Sequence, residues 1–222
     1  MKVDMHIHTN VSREGPITID RLRKICLKKN IFPFITDHNT IKGALAYREK
    51  YKDCVVGEEI KAVYNGRFGD ITGLFVNEEI KRDLDIFEAI DKIKAQGALV
   101  YFPHPYDRFR KRSAFFEKNG EFDLKNKIDI VEIYNSRIFG MKDMRKAISY
   151  SDKINAVKGA GSDAHWPIEI GRSYAEVNEF DRDNPKEFLK NLKDGKLFMI
   201  KKGNLVLLTT TRIYAKINSR FP

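Results

Sequence analysis

All five histidines of this 222-residue chain stand inside or just past a short apolar stretch, and that placement narrows the folds open to it. His6 and His8 lie in Val3-Asp4-Met5-His6-Ile7-His8-Thr9. Read as a strand, the segment turns both imidazoles to one face and Ile7 to the other, because strand side chains alternate. His38 follows the apolar run Ile31-Phe32-Pro33-Phe34-Ile35. His104 and His165 follow apolar stretches at 98–102 and 156–160. No histidine is left for ordinary surface or core duty. Imidazoles spread this widely along the chain meet only if the strands that carry them end at a common edge.

Helical patterns separate these strands. Thr18 is placed to cap a helix running to about residue 29, with Leu22, Ile25 and Cys26 on its inner face. Further helices are expected over 43–51, 85–96, 141–151, 185–193 and 205–217; Ile86, Phe87, Ile90 and Ile93 mark the third strand-to-strand helix, which Gly97 closes. Strands are expected at 54–57 (with Glu58 and Glu59 at its end), 128–133, 173–177 and 197–200. Asn65-Gly66 between 60–63 and 67–75 reads as a type I′ hairpin. The alternation predicts an α/β fold with a largely parallel sheet. Candidate ligands at the C-terminal strand ends favour a βα barrel, whose sites sit there, over an open doubly wound sheet. With no repeat or linker, residues 1–222 read as a single domain.

Charge bears on partners. Forty-one basic against 31 acidic residues give a net charge of +10, which favours anionic partners, whether phosphate esters or nucleic acid. No apolar run approaches the ~20 residues of a membrane span, and the chain opens without a signal-like segment, so no membrane partner and a cytoplasmic location are expected. Cys26 and Cys54 fall in no metal or redox pattern and read as buried reduced thiols.

As a set, Asp4-Met5-His6-Ile7-His8-Thr9, Ser12-Arg13-Glu14-Gly15, Ile35-Thr36-Asp37-His38-Asn39-Thr40, Gly57-Glu58-Glu59-Ile60, Pro103-His104-Pro105 and Gly161-Ser162-Asp163-Ala164-His165 resemble the PHP (polymerase and histidinol phosphatase) superfamily, in family order. The resemblance runs to about Gly171. It implies a distorted (β/α)7 TIM-like barrel holding two or three divalent metal ions (Zn, Mn or Fe), and hydrolysis of phosphate esters. Carried over, His6, His8, Glu59 and Asp163 hold one metal, Glu59 bridges to a second bound by His104, and His38 and His165 take a third. Glu14 and Asp70 stand where the family often has Asp and His; both keep an oxygen donor for a metal, and Asp70 reads equally well as a turn residue. Glu59, Asp163 and His38 are the expected catalytic residues.

Other residues near these motifs have plainer readings. Asp4 and Asp37 suit hydrogen bonding at strand ends or orienting a ligand. Glu58 reads as a solvated neighbour of Glu59. Arg108, Arg110, Lys111 and Arg112 follow His104, and Arg137 follows the strand at 128–133; of these, Arg110, Arg112 and Arg137 are the candidates for gripping a substrate phosphate, since guanidinium suits bidentate contact. Tyr106, Phe109 and Trp166 are rim aromatics that either pack or stack a base.

The function expected is a metal-dependent phosphoesterase, phosphatase or nuclease, in which a hydroxide held by the metals attacks phosphorus. Its substrates would be a nucleotide, the 5′ end of an oligonucleotide or a small-molecule phosphate. Two other readings compete: an amidohydrolase-like deacylase or deaminase, and a nucleic-acid-binding barrel with structural metals. No lysine stands at an obvious bridging strand end, which disfavours the first. The near-complete ligand set disfavours the second.

Overall fold

The expected strands and helices form in chain order. They are β1 (Lys2–Ile7), α1 (Ile19–Lys29), β2 (Ile31–Ile35), α2 (Lys42–Tyr51), β3 (Val55–Tyr64), β4 (Arg67–Leu74), α3 (Ile86–Ala95) and β5 (Leu99–Phe102). Then follow β6 (Ile130–Asn135), α4 (Met141–Ile154), β7 (Val157–Gly161), β8 (Ser173–Glu176), α5 (Pro185–Lys193), β9 (Lys196–Met199) and α6 (Leu205–Asn218). The structure, a computed structural model, describes residues 1–107, 124, 126–202 and 205–219. Local chemistry accounts for the boundaries. Thr18, Asp85 and Asn184 each accept a backbone N–H of the helix they open, and Pro185 occupies the first turn of α5. Asn65 and Gly66 hold φ of 47° and 73°, the left-handed pair a type I′ hairpin needs, and Tyr64 pairs with Arg67 across it.

The nine strands among the described residues join one sheet in the order β7-β6-β5-β4-β3-β2-β1-β8-β9. Strands β1 to β7 curl into a nearly closed ring. At its open seam Ile7 bridges Ala164, the Asp163 N–H donates to the His6 carbonyl at 2.7 Å, and the His8 N–H donates to the Ala164 carbonyl at 3.0 Å. Gly161 permits that approach: a Cβ there would lie 2.4 Å from the Cβ of His6. The result is a distorted TIM-like barrel.

Two expectations change. The parallel pairing is confined to β1–β2–β3 and β5–β6–β7; β4 runs antiparallel to both neighbours, and β8 and β9 extend β1 antiparallel. Second, the two short strands expected at 54–57 and 60–63 are one strand, β3. Glu58 and Glu59 looked like an interruption, yet both are buried within it.

Packing divides at the sheet. Val3, Met5, Phe34, Val55, Leu74, Leu99, Tyr101 and Ile130 form one cluster, drawn from the same end of six ring strands and closed by Phe188 and Leu192 of α5. It fills the lumen at the N-terminal end of the parallel strands. A larger cluster, including Ile7, Leu22, Cys26, Ile35, Tyr47, Ile90 and Tyr150, joins the sheet to its helices. Cys26 and Cys54 are buried free thiols. With apolar packing at one end, the other end of the lumen is left to polar side chains. No described helix is long and apolar enough to cross a membrane.

Candidate metal centre

Each ring strand but β6 delivers an expected ligand at the polar end. His6 lies near the end of β1 and His8 follows it; Glu14 comes from the turn after the 3₁₀ segment Asn10–Ser12, where Arg13 takes a φ of 61°. His38 follows β2, Glu59 and Asp70 lie in β3 and β4, His104 follows β5, and Asp163 and His165 follow β7. His104 and Asp163 hold positive φ (30° and 56°), a strained backbone of the kind that clusters at functional sites.

The side chains converge. His6 Nε2 lies 3.0 Å from His8 Nε2 and 3.3 Å from Glu59 Oε2, and Asp163 Oδ1 is 3.8 Å and 3.5 Å from the same two nitrogens. Glu59 spreads its carboxylate: Oε1 is 2.9 Å from His104 Nε2, and Oε2 is 3.1 Å from His38 Nδ1. Glu14 Oε2 lies 3.3 Å from His38 Nε2 and 3.5 Å from His165 Nε2. Asp70 groups with His38 and Glu59. Four overlapping sets, His6/His8/Glu59, His6/His104/Asp163, His8/His38/His165 and His38/Glu59/Asp70, each bring donor atoms within 4.8 Å of one another.

Does this cage fit divalent metal? Four donors about 2.0–2.1 Å from a tetrahedral ion stand roughly 3.3–3.4 Å apart. The separations among His6, His8 and Glu59 fall close to that spacing. One proton on His6 Nε2 could serve only one of its three facing acceptors, whereas a cation serves all. His8 Nδ1 is buried and has no hydrogen-bond partner among the described residues. The donor set fits.

Electrostatics point the same way. Burial alone would lower the His6 and His38 pKa values, but the carboxylates around them win: Asp163, Glu132 and Glu59 raise His6 well above its ordinary range, and Glu59 and Glu14 raise His38 to about 9. Burial pushes Glu59 and Glu14 upward, and the imidazoles beside them more than reverse it, holding both well below the ordinary carboxylate range. A cage that pulls in protons this strongly favours a cation in their place. His165 is the exception. Burial, Arg137 and His8 press it down to about 3, so it stays neutral, and its Nδ1 proton goes to the Asp163 carbonyl at 3.0 Å. That leaves Nε2 with a lone pair facing the cage.

Sequence reading passed over two residues of β6 that organise this ring. Glu132 Oε1 accepts from His6 Nδ1 at 3.2 Å, and its Oε2 accepts the His104 N–H at 2.6 Å. Asn135 Nδ2 donates to Glu132 Oε2 and to Asp163 Oδ2 at 2.8 and 3.1 Å. The available signal was a carboxylate inside the apolar Ile130-Val131-Glu132-Ile133 stretch. Fixing the His6 tautomer from behind is worth ~10–100-fold in metal affinity at comparable sites. Glu132→Gln should therefore weaken metal binding by about that factor while leaving the fold intact, as a chelator titration would read. Unchanged affinity would show that Glu132 does not orient His6.

Other expectations find definite places. Asp37 accepts the Thr9 N–H and hydroxyl at 2.7 and 2.6 Å, tying β2 to the end of β1. Asp4 accepts the Ser162 and Gly171 N–H groups, both at 2.8 Å. Glu58 is buried rather than solvated: Oε2 accepts the Ile80 N–H at 2.8 Å, and burial raises its pKa to about 7. Trp166 donates its indole N–H to Thr211 Oγ1 at 3.0 Å and Tyr106 packs edge-on to Tyr150, so both aromatics are engaged in packing. Arg110 and Arg112, with Arg108, Phe109 and Lys111, lie outside the described residues. Arg137 is not a rim residue. It is 2% exposed, and its guanidinium forks onto Glu169 at 2.9 and 3.1 Å while Nη2 also donates to Thr211 Oγ1 at 2.7 Å. The expected substrate contact gives way to a buried ion pair, because Glu169 already occupies the fork.

Known proteins agree with this architecture. Residues 142–197 match the family model described as PHP-associated. The chain is 37% identical over 230 residues, spanning all of it and 92% of its relative, to uncharacterized protein MJ0417 of Methanocaldococcus jannaschii. A two-domain protein from Bacteroides vulgatus, containing a predicted PHP-like metal-dependent phosphoesterase, superposes with a TM-score of 0.70 at 17% identity, over 96% of this chain and 69% of that one. Endonuclease Q, in complex with a 27-mer duplex carrying an abasic lesion at the active site, superposes with a TM-score of 0.58 at 16% identity, over 87% of this chain and 56% of that one. Ring, ligand order and kinship lead to one assignment: this chain belongs to the PHP superfamily.

Proposed function

We propose that this protein is a metal-dependent phosphoesterase that hydrolyses phosphate esters of nucleotides, oligonucleotides or small molecules. The observation that carries the reading is Glu59, whose two oxygens face different imidazoles of one buried cage. That geometry suits a carboxylate shared between two ions. His6, His8, Glu59 and Asp163 would hold one, Glu59 and His104 a second, and His38 and His165 with Glu14 a third; Asp70 stands beside Glu59 and His38 to complete a shell. Divalent ions bound there supply Lewis acidity toward a phosphoryl oxygen and activate water as a nucleophile.

The chain's own residues do the rest. Glu132 and the Asp163 carbonyl hold His6 and His165 in the tautomers that present Nε2 to the cage. Asp163 and Glu59 fix the donor positions, and His38, with one nitrogen toward Glu59 and the other toward Glu14, couples two parts of the cage. The lumen cluster beneath excludes water from below. Arg110 and Arg112 would meet the substrate phosphate, and a net charge of +10 would draw anionic substrates toward the mouth. The nucleic-acid arm of the reading is supported by the likeness to Endonuclease Q.

Elemental analysis followed by a substrate panel tests this. Protein replenished with Mn or Zn should carry two or three divalent ions per chain. A chelator should abolish hydrolysis of p-nitrophenyl phosphate or of a 5′-phosphorylated oligonucleotide, and added metal should restore it. One equivalent or none, or turnover of an N-acyl substrate in place of every phosphate ester, would overturn the proposal. Zn against Mn is read from which ion restores the higher rate.

A further inference from the structure

Outside the ring, a cavity of about 350 Å³ opens between the start of β1, the α1–β2 junction and the β8–β9 pair. Four cations line it: Lys2, Lys29, Arg172 and Lys201. Among the described residues no carboxylate lines it; Ile31 and Tyr174 supply apolar wall. None of the cage residues reaches it. Lys2 begins β1, whereas His8 lies past that strand's other end.

Arg172 is the informative residue. It is 7% exposed, its Nε donates to the Ile168 carbonyl at 3.1 Å, and its buried Nη1 has no hydrogen-bond partner among the described residues. A charged donor left unpaired inside a protein calls for an acceptor. The neighbouring charges do not provide one. Asp4 spends its oxygens on the Ser162, Gly171 and His6 N–H groups, and Glu176 stands 3.9 Å from Lys2 Nζ. Lys29 donates to the Ile170 carbonyl at 2.5 Å, and partial burial, with Arg172 nearby, lowers its pKa. Gly171 sets the close wall: it holds a φ of +72°, and a Cβ there would lie 3.0 Å from Ile31 Cγ1 and 3.7 Å from Lys29 Cδ.

We propose that this cavity binds a phosphate group, as inorganic phosphate or as part of a small phosphate ester, at a site separate from the metal cage. Several converging cations match a dianion better than a single carboxylate, and guanidinium presents its N–H groups in the spacing that phosphate oxygens accept. The volume falls within the ~300–1,000 Å³ of small-molecule sites. Arg172 and Lys29 also hold the carbonyls of Ile168 and Ile170, in the same loop that carries His165, so an occupant would brace that loop from outside.

The test is calorimetric titration of the metal-loaded protein with inorganic phosphate, in wild type and in the Lys201→Glu and Arg172→Gln variants. The wild type should bind phosphate in an equivalent that weakens at least tenfold in each variant, with metal content unchanged. Any equivalent belonging to the cage should persist in both. Should Arg172→Gln fail to fold, the Lys201→Glu/Lys29→Gln double variant replaces it. Variant isotherms that superimpose on wild type would overturn the proposal. Adenosine monophosphate distinguishes the sources: displacement of phosphate from this equivalent points to an ester, and failure to displace it points to the free ion. Either result upholds a phosphate site. The outcome is independent of the phosphoesterase reading, because binding is read without turnover.

Discussion

Glu59→Gln is expected to lower kcat/KM for the best phosphate ester by ~10³-fold or more, equivalent to about 4 kcal/mol of barrier. The change keeps the shape of the side chain and removes its charge. Glu59 Oε1 lies 2.9 Å from His104 Nε2, and Oε2 lies 3.1–3.3 Å from nitrogens of His38, His6 and His8. An amide can turn its oxygen to one side only; its NH₂ then points at imidazole lone pairs that a metal would otherwise use. The variant should lose at least one metal equivalent by elemental analysis and keep its far-UV dichroism, since among the described residues this carboxylate meets imidazoles and no backbone group. Relief of a buried anion could even raise the thermal midpoint of the metal-free form. Wild-type turnover with full metal content would remove Glu59 from the centre of the mechanism.

Much of this cage was legible in the sequence because its ligands follow apolar strands, and apolar strands are what periodicity reads best. His6 and His8 share a face through alternation alone, and the Asn65-Gly66 turn brought β4, with Asp70, back beside Glu59. What escaped depends on contacts made across the ring. Glu132 looks like one acid among 31 until β6 is set beside β5 and β7, where it faces His6 and the His104 N–H. Glu58 read as a solvated neighbour of Glu59 because the strand was expected to end before it; in a strand buried on both faces, neighbours point opposite ways and each finds its own partner. Arg137 read as a candidate for gripping phosphate because it follows a strand whose end lies near the site. Its partner Glu169 is thirty-two positions further on, in a loop whose path no local pattern reveals.

That ion pair carries the second large expected effect. Arg137→Met should destabilise the protein by ~3–5 kcal/mol, as breaking one side of a buried salt bridge does. The Glu169 carboxylate would then stay buried with its fork partner gone, still accepting the His165 and Trp166 N–H groups at 3.0 and 2.9 Å. Thr211 of α6, which receives Arg137 Nη2 and the Trp166 indole, would lose one of its two donors, so the docking of α6 should loosen as well. Urea denaturation of metal-loaded protein measures the loss. Glu169→Leu added to Arg137→Met should recover part of it by removing the stranded charge, but not the acceptor that the His165 and Trp166 N–H groups require. A substrate-gripping Arg137 would behave differently: stability within ~0.5 kcal/mol of wild type, and KM raised with metal content intact. If that pattern appears, the pair with Glu169 is incidental and Arg137 returns to the substrate. The geometry favours the brace, since a guanidinium already forked on one carboxylate has little left to offer a phosphate.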